Sequence, residues 1–142
     1  MNTAVQHNYT GFGWEGEQYR ATKDLPKTEI AKRIKAEVMA MFPSIKFSIR
    51  TSTYTGGSSI TLKILDFGFD CFTEQYKAYL QSDMSMIFEY WCRENFGPAV
   101  MYVPDASNIF KRIEKIANNY RYNDSDGQVD YFDTNFYFFV TC

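Results

Sequence analysis

The sequence predicts an α+β fold, in which a small antiparallel sheet packs with three to four helices. Three patterns support this prediction. Apolar residues recur at spacings of three and four in several segments, as they do in helices with one buried face. Between residues 45 and 65 the period changes to two, which indicates a half-buried hairpin of strands 45–50 and 59–65. The run from Phe136 to Val140 is apolar on both faces and predicts a central strand at the C-terminus.

The first long helix is predicted from about Pro26 to Met41. Asp24 is a suitable cap, Pro26 suits the first helical turn, and Pro43 marks the end. Its inward face consists of apolar residues at helical spacing: Ile30, Ala31, Ile34, Val38 and Met41.

Further helices are predicted in the second half of the chain. The stretch from Thr73 to Asn95 fits a helical pattern that Ser82 and Asp83 divide in two. A short strand is predicted at Ala99–Val103. An amphipathic helix then begins near Asp105, with the following residues inward: Ile109, Phe110, Ile113, Ile116, Ala117 and Tyr120.

Two registers of the hairpin keep its apolar side chains on one face, with Ile49 opposite either Ile60 or Leu62. In the first register Lys46 faces Lys63, and like charges directly opposite one another are unfavourable. Either the second register therefore holds, or an anion or carboxylate lies between the two lysines. The glycines of the stretch YTGGSSI are interpreted as turn residues, because a phosphate-binding loop of the Walker type would require a lysine and a following helix.

Length and composition predict one domain in a reducing compartment. The chain has 142 residues and a formal net charge of −2, with 45% apolar and 18% aromatic residues. Residues 25–142 are predicted to form a single α+β domain with a helical insertion at about 69–103, preceded by an irregular aromatic arm at 1–24. The odd number of cysteines argues against a secreted disulfide framework, and no run approaches the roughly 18 apolar residues of a membrane span. We expect a cytoplasmic protein that does not contact membranes.

The acidic stretch YNDSDGQVDYFD is the candidate cation site. Asp124, Asp126 and Asp133 fall on ligand positions of the calcium-loop pattern, with Gly127 at its turn. Tyr122, however, occupies the first ligand position, and a strand-like segment follows where that motif needs a helix. A solvated loop is the alternative, and we expect no resident metal or other cofactor.

Catalytic residue types are scarce in this sequence. His7 is the single histidine and lies in the arm, so a serine or cysteine nucleophile would have to recruit its base from there. We therefore expect a protein that is not an enzyme.

The hairpin also offers a candidate nucleic-acid surface. Lys46, Arg50 and Lys63 share its polar face, and Tyr54 near its tip is able to stack on a base. The alternative is a plain solvent-facing sheet, which the acidic balance of the chain favours.

The segment LPKTEIAKRIKAEVMAMFPSIKFSIRTSTYTGGSSITLKI, from Leu25 to Ile64, resembles the N-terminal half of the large polyvalent protein associated domain 29 family. In that family a helix precedes an FP-x-hydrophobic-KFS-hydrophobic-R strand and a Y-x-GG-S-S-I turn. The tail YRYNDSDGQVDYFDTNFYFFV is similar to the end of related stand-alone members. The strand and turn motif is matched by Phe42, Pro43, Lys46, Phe47, Ser48, Arg50, Tyr54, Gly56, Gly57, Ser58, Ser59 and Ile60.

The resemblance implies a small α+β module of phages, plasmids and conjugative elements that helps incoming DNA to survive host defences. It implies no catalytic residues. The middle of the chain, from about Phe69 to Val103, is longer than the family leads us to expect, so a function specific to this member is expected there.

Two functions follow from the resemblance and the residues. The first is a phage or mobile-element protein that blocks a host defence protein or complex, of restriction or CRISPR type, by protein–protein contact in the cytoplasm of the bacterial host. The second is an accessory module that binds nucleic acid through Lys46, Arg50, Tyr54 and Lys63. The oligomeric state is left open. For the first function the predicted contact residues are Tyr54, Ser58, Asp124, Asp126 and Asp130.

Overall fold

The computed structural model describes residues 7–74, 76–77, 102–129 and 131–142. It confirms the predicted α+β class, with helices and two small sheets in these ranges. The elements, in chain order, are β1 (Trp14–Glu15), α1 (Tyr19–Thr22), α2 (Lys27–Met41), β2 (Lys46–Tyr54), β3 (Gly57–Asp66), α3 (Pro104–Asn118), β4 (Tyr122–Asn123), a 3₁₀ turn (Gly127–Val129) and β5 (Tyr137–Thr141).

The hairpin of β2 and β3 adopts the register that keeps its lysines apart. Ile49 lies opposite Leu62, so Lys63 faces Ser48. An irregularity after Lys46 places that residue opposite Asp66, whose carboxylate has the opposite charge. Of the two registers that the apolar pattern allows, the structure thus selects the one without facing lysines.

The C-terminal strand β5 corrects two details of the predicted sheet. It pairs with β3 in parallel rather than antiparallel, and the order β2-β3-β5 places it at an edge rather than at the centre of the described sheet. Parallel pairing requires a long crossover, and the chain between β3 and β5, which includes α3, provides one. Phe138 and Val140 pack against the core, whereas Phe139 points the other way and is 51% exposed. The run is therefore apolar at every position because an aromatic residue is exposed on the outer side of an edge strand, and not because the strand is buried on both faces.

The hydrophobic core lies between one face of the main sheet and the two long helices. The helix α2 begins one residue after the predicted start, because Pro26 is its N-cap, and it ends at the predicted Met41. The carboxylate of Glu37 on α2 accepts a 2.5 Å hydrogen bond from the hydroxyl of Tyr120, which follows α3. Burial and this bond raise the pKa of Tyr120 to about 12. The fully buried apolar side chains of the core include Ile30, Ile34, Val38, Ile60, Leu62, Ile113 and Phe136.

The N-terminal arm is partly regular in the structure. Its strand β1 pairs with β4 in a second, two-stranded antiparallel sheet, and the four-residue helix α1 follows. Tyr19 of α1 is buried at 8% exposure, as expected for an aromatic anchor. The division into an arm at 1–24 and a domain at 25–142 stays a prediction.

The predicted helices between Thr73 and Asn95 lie outside the described residues except at their start, where the Lys77 amide donates a 3.0 Å hydrogen bond to the Thr73 carbonyl, and most of the predicted insertion at 69–103 also lies outside them. At the rim of this segment Phe72 forms an isolated bridge with Tyr102, and the Val103 amide donates a 2.9 Å hydrogen bond to the Cys71 carbonyl. Among the helices in the described ranges, none has the length and apolar character that crossing a membrane requires.

Candidate functional site

Asp124 fastens the N-terminal arm to the acidic stretch. Its side chain is 1% exposed and accepts hydrogen bonds from the arm 114 residues away. One carboxylate oxygen accepts from the Tyr9 amide, and the other accepts from the amide and hydroxyl of Thr10 at 2.9 and 2.5 Å. A carboxylate that receives several donors in this way is a structural cap, comparable to the residue that closes a helix N-terminus.

These donors also determine the ionisation of Asp124. Burial alone would raise the pKa of this carboxyl group, since the charged form loses water. The hydrogen bonds from Thr10 and Tyr9 oppose burial, and His7 acts in the same direction as these bonds. Together they hold the pKa of Asp124 below its ordinary value, so the carboxylate is charged while the arm is in place.

Arg121 forms a second attachment point of the arm. Its guanidinium group donates to the Phe136 carbonyl at 2.8 Å and to the Asn118 side chain at 2.9 Å. The same group lies 5.6 Å from the ring centre of Trp14, which belongs to β1 of the arm. Burial lowers the pKa of Arg121, yet a guanidinium group stays charged under all ordinary conditions. Arg121 therefore joins the arm, the end of α3 and the approach to β5.

His7 is packed against an aromatic cluster, and its side chain stays 29% exposed. Its ring stacks on Tyr122 with centres 3.6 Å apart, and its Nε2 lies 3.2 Å from the hydroxyl of Tyr19. Nδ1 lies 3.9 Å from a carboxylate oxygen of Asp133, and the other oxygen of that carboxylate accepts a 2.6 Å bond from Tyr122. Burial and this bond raise the pKa of Tyr122, which makes its hydroxyl a donor rather than a nucleophile. Both ring nitrogens thus face groups that hold the imidazole in position.

The three candidate cation ligands are spread along a folded-back segment. Asp124 is occupied by the arm, Asp133 accepts from Tyr122, and Asp126 accepts from the Gln128 amide in its own turn. Backbone bonds from Asp124 to Asp133 and from Asp126 to Tyr131 close this segment as a narrow hairpin-like loop. Within the described ranges, no three His, Cys, Asp or Glu side chains are grouped in a way that could hold a metal ion. Asp130 lies outside the described residues.

Large apolar side chains are exposed on both segments that Asp124 joins. Tyr9 and Phe12 of the arm are 85% and 73% exposed, and Val129 and Phe132 of the loop are 69% and 60% exposed. The rings of Tyr9 and Tyr131 lie 5.3 Å apart, which brings the two segments into contact. We call the following set the arm–loop surface: Tyr9, Phe12, Asp126, Val129, Phe132 and Asp133.

An open groove separates β1 from α3, with a volume of about 360 Å³. Its lining includes Glu15, Glu17 and Glu114 together with Lys111 and Lys115, so carboxylates and ammonium groups are mixed along it. This charge pattern favours no single class of ligand.

The second candidate surface is the side of the main sheet that faces away from the helices. It consists of alternate residues of β2 from Ser48 to Tyr54, of β3 from Gly57 to Leu65, and of β5 from Tyr137 to Thr141. We call it the outer sheet face. Every β2, β3 and β5 side chain in the core cluster belongs to the opposite side.

The outer sheet face holds three of the four predicted nucleic-acid residues. Arg50 and Lys63 are exposed, and Tyr54 is 46% exposed. Lys46 lies at the end of β2 opposite Asp66, so its charge is partly offset there. Of the three cations predicted to share this face, the register places Arg50 and Lys63 there together with Tyr54, whereas Lys46 lies beyond the irregularity in β2.

Two aromatic residues of this face were missed by sequence reasoning. Tyr137 pairs with Ser59 and Phe139 pairs with Thr61, so both lie on the outer sheet face beside β3. A Cβ atom at Gly57 would meet the rings of Tyr54 at 3.6 Å and Tyr137 at 4.0 Å, so these two rings flank the glycine backbone. Their spacing of two residues in FYFFV was the available signal, but a run that is apolar at every position predicts burial on both sides.

The position of Ser58 is a correction to the sequence interpretation. The residue was expected at an accessible hairpin tip, but it is 8% exposed and its hydroxyl donates to the Asn135 carbonyl at 3.4 Å. The tip is the Thr55-Gly56 pair between Tyr54 and Gly57, where Gly56 has φ +92°. Ser58 already belongs to the inward face of β3.

The sequence model of the large polyvalent protein associated domain 29 matches residues 25–95, half of the chain. The chain belongs to this family. No curated protein and no solved structure matches the chain. The match bears out the resemblance seen in the helix, strand and turn motif, and the family is one that fits a module of phages and other mobile elements.

The domain 29 match divides the two candidate surfaces. It includes α2, β2 and β3, and with them Arg50, Tyr54 and Lys63 of the outer sheet face. The arm–loop surface and β5, with Tyr137 and Phe139, lie outside the matched residues. The domain 29 segment thus supplies the cations of the sheet, whereas the rest of the chain supplies its edge strand and the second surface.

Proposed function

We propose that this domain 29 protein counters a host defence system, of restriction or CRISPR type, by binding a defence protein or complex through the arm–loop surface. It acts without catalysis, in the cytoplasm of the bacterial host. The observation that carries the proposal is the exposure of four large apolar side chains, at 60–85%, on the two segments that Asp124 holds together. The family supports the mobile-element setting.

Exposed aromatic side chains of this kind are typical of protein contacts. The contact between the rings of Tyr9 and Tyr131 brings the two segments together, and aromatic anchors supply much of the binding free energy at interfaces. Phe12 and Phe132 would fill pockets of the partner, while Asp126 and Asp133 would face its cationic groups. Defence proteins that process DNA carry such cationic surfaces, so the charges of the two proteins are complementary.

A phage-infection assay tests this proposal. Cells with an active restriction or CRISPR system are infected with a phage that the system attacks, and plaques are counted with and without the protein. We expect the wild type to raise the plaque count and the Phe12→Ser/Phe132→Ser variant to lose this effect. Met39→Ser is the matched control, because Met39 is 53% exposed on α2 and belongs to neither surface.

The purified defence complex then supplies a direct measurement. Calorimetry should give a dissociation constant that the Phe12→Ser/Phe132→Ser variant weakens by about tenfold or more. Protection that survives this double substitution would contradict the role of the arm–loop surface. A His7→Gln protein that binds as tightly as the wild type but no longer protects would contradict a mechanism without catalysis.

A second candidate function is favoured by the charges of the outer sheet face. Among its described residues this face has two cations, Arg50 and Lys63, and no carboxylate, in a chain whose net charge is −2. Tyr54 adds a ring able to stack on a base. The corresponding proposal is an accessory module that binds nucleic acid. Binding that weakens steeply with salt supports it, whereas the absence of binding to DNA and RNA at low salt eliminates it.

A further inference from the structure

We propose that the outer sheet face binds single-stranded nucleic acid, with bases stacked on Tyr137 and Phe139 and phosphates held by Arg50 and Lys63. This inference rests on the second candidate function and specifies its ligand and its principal residues. It assigns the base contacts to β5, which lies outside the segment that the domain 29 model matches.

The register of the sheet arranges aromatic rings and cations in adjacent rows. Thr61 lies between Arg50 and Phe139, and Lys63 lies one row further along β3. Strand spacing places the Cα atoms of Arg50 and Phe139 roughly 10 Å apart, and those of Tyr137 and Phe139 roughly 7 Å apart. A nucleotide whose base stacks on Phe139 can therefore extend its phosphate toward the β2 side of the face.

The floor of the face is made of small side chains. Ser52, Gly57, Ser59 and Thr61 surround the aromatic positions on β2 and β3. Because Ser59 is only 9% exposed, bases would stack on the rings of Tyr54 and Tyr137, which flank Gly57, rather than on the backbone of the sheet. Sheets that bind RNA in this manner use two or three aromatic residues to stack successive bases.

These features favour a single strand over a duplex or a protein. Stacking requires bases whose flat sides are free, and in a duplex those sides are covered by neighbouring base pairs. The cations without a carboxylate on the described face complement a phosphate backbone. Phe139 is 51% exposed, and Tyr137 beside it is half-buried, so Phe139 offers the larger stacking surface of the two.

Fluorescence anisotropy with labelled oligonucleotides tests the inference. The probes are a mixed-sequence single strand of DNA, the same sequence as RNA, and the DNA duplex of equal length, each titrated at several salt concentrations. The wild type should bind the single strands more tightly than the duplex. Phe139→Leu and Tyr137→Leu should each weaken single-strand binding by about 5- to 100-fold and leave its salt dependence unchanged.

Three further variants separate stacking from charge. Arg50→Gln/Lys63→Gln should weaken binding to every probe and reduce the slope of log K against log salt by about 1.4, the value for two contacts to a single strand. Tyr137→Phe keeps the ring and should bind as the wild type does. Phe132→Leu is the matched control, since Phe132 is 60% exposed on the arm–loop surface. Thermal unfolding of each variant verifies that the fold is retained.

The possible failures are distinguishable. Absence of binding to all three probes at low salt would overturn the nucleic-acid function together with this inference, and would leave the face to a protein partner. Two results would overturn the inference alone, provided that binding still depends on Arg50 and Lys63. One is equal affinity for the duplex and the single strand. The other is an affinity that the Tyr137→Leu and Phe139→Leu substitutions leave unchanged in folded protein.

Discussion

The outer sheet face and the arm–loop segment use their polar side chains in opposite ways. In the sheet the backbone groups of β2, β3 and β5 bond to one another, so Arg50 and Lys63 need not support the chain and project outward. In the arm and loop the backbone has few regular partners. Side chains such as Asp124 and Asn135 therefore bond the backbone amides of other segments.

This difference shows which polar residues are available to a ligand. Buried backbone groups must be paired, and where no ladder pairs them the nearby side chains do so. The side chain of Asn135 makes two such hydrogen bonds: it accepts one from the Tyr122 amide and donates one to the Tyr120 carbonyl. Asp124, which is 1% exposed, is thus a part of the scaffold, whereas Arg50 and Lys63 on the outer side of their strands stay accessible.

The largest loss of stability in the arm and loop is expected when Arg121 is replaced. Arg121→Met loses the hydrogen bonds to Phe136 and Asn118 while it keeps much of the apolar volume. We expect a loss of about 2–4 kcal/mol in the free energy of unfolding, measured by urea denaturation. Arg112→Met is the matched control on the exposed side of α3, with an expected change within about 0.5 kcal/mol. Equal losses in the two variants would contradict a structural role for Arg121.

A more local test removes the charge of Asp124. In Asp124→Asn one carboxylate oxygen becomes an amide NH₂, which then faces an N–H donor of Tyr9 or Thr10. We expect the arm to open and the exchange of these two amides to accelerate by about tenfold or more, as followed by NMR. Asp126→Asn is the control in the same loop, because its carboxylate accepts from the nearby Gln128 amide. Unchanged exchange in Asp124→Asn would show that the arm is held by other contacts.

The arm should also open in acid, for the same reason. The folded pKa of Asp124 lies below its ordinary value, so its carboxylate stabilises the folded state above the ordinary carboxyl pKa. This stabilisation is lost as the pH falls through the lowered folded pKa. The Asp124→Asn variant lacks this titration, and its arm exchange relative to the rest of the chain should therefore be less sensitive to acid than that of the wild type.

The sequence predicted the regular part of the molecule better than the irregular part, for a physical reason. The spacing of Ile30, Ile34 and Val38 determines which side of α2 is buried, and the observed hairpin register is the one that keeps Lys46 and Lys63 apart. These signals are local. The direction of β5 depends on the path of a long crossover, and no short-range pattern encodes it.

The role of Asp124 was hidden in the same way. Its partner Thr10 lies 114 residues earlier in the chain, so the local pattern around Asp124 resembles a solvated or cation-binding loop. The positions of the half-buried Tyr137 and the exposed Phe139 were hidden because an apolar run on an edge strand has the same sequence pattern as one on a central strand. The cationic residues Arg50 and Lys63 needed only the period of two to be placed on one face.

The turn that shapes the outer sheet face allows a smaller perturbation. Gly56 has φ +92°, and a Cβ atom there meets nothing within 4 Å, so Gly56→Ala tests backbone strain without a clash. We expect a loss of about 1–2 kcal/mol in the free energy of unfolding by urea denaturation. Gly127→Ala in the loop is the control, because its position is equally open and its φ lies outside the left-handed region. That variant should be unchanged or more stable by up to about 1 kcal/mol. A Gly127→Ala loss as large as that of Gly56→Ala would exclude strain at the turn as the cause.

The smallest change in the free energy of unfolding is expected for two serines of the hairpin whose side chains lie on opposite faces of the sheet. Ser58 is 8% exposed and donates to the Asn135 carbonyl, whereas Ser52 is exposed on the outer sheet face. Ser58→Ala should therefore cost about 0.5–1 kcal/mol in urea denaturation, and Ser52→Ala should stay within about 0.5 kcal/mol of the wild type. In the infection and anisotropy assays Ser58→Ala should behave as the wild type, since its hydroxyl supports the strand and does not reach a ligand. Loss of partner or nucleic-acid binding in a stable Ser58→Ala protein would reverse this assignment and make the inward side of the hairpin tip part of the contact surface.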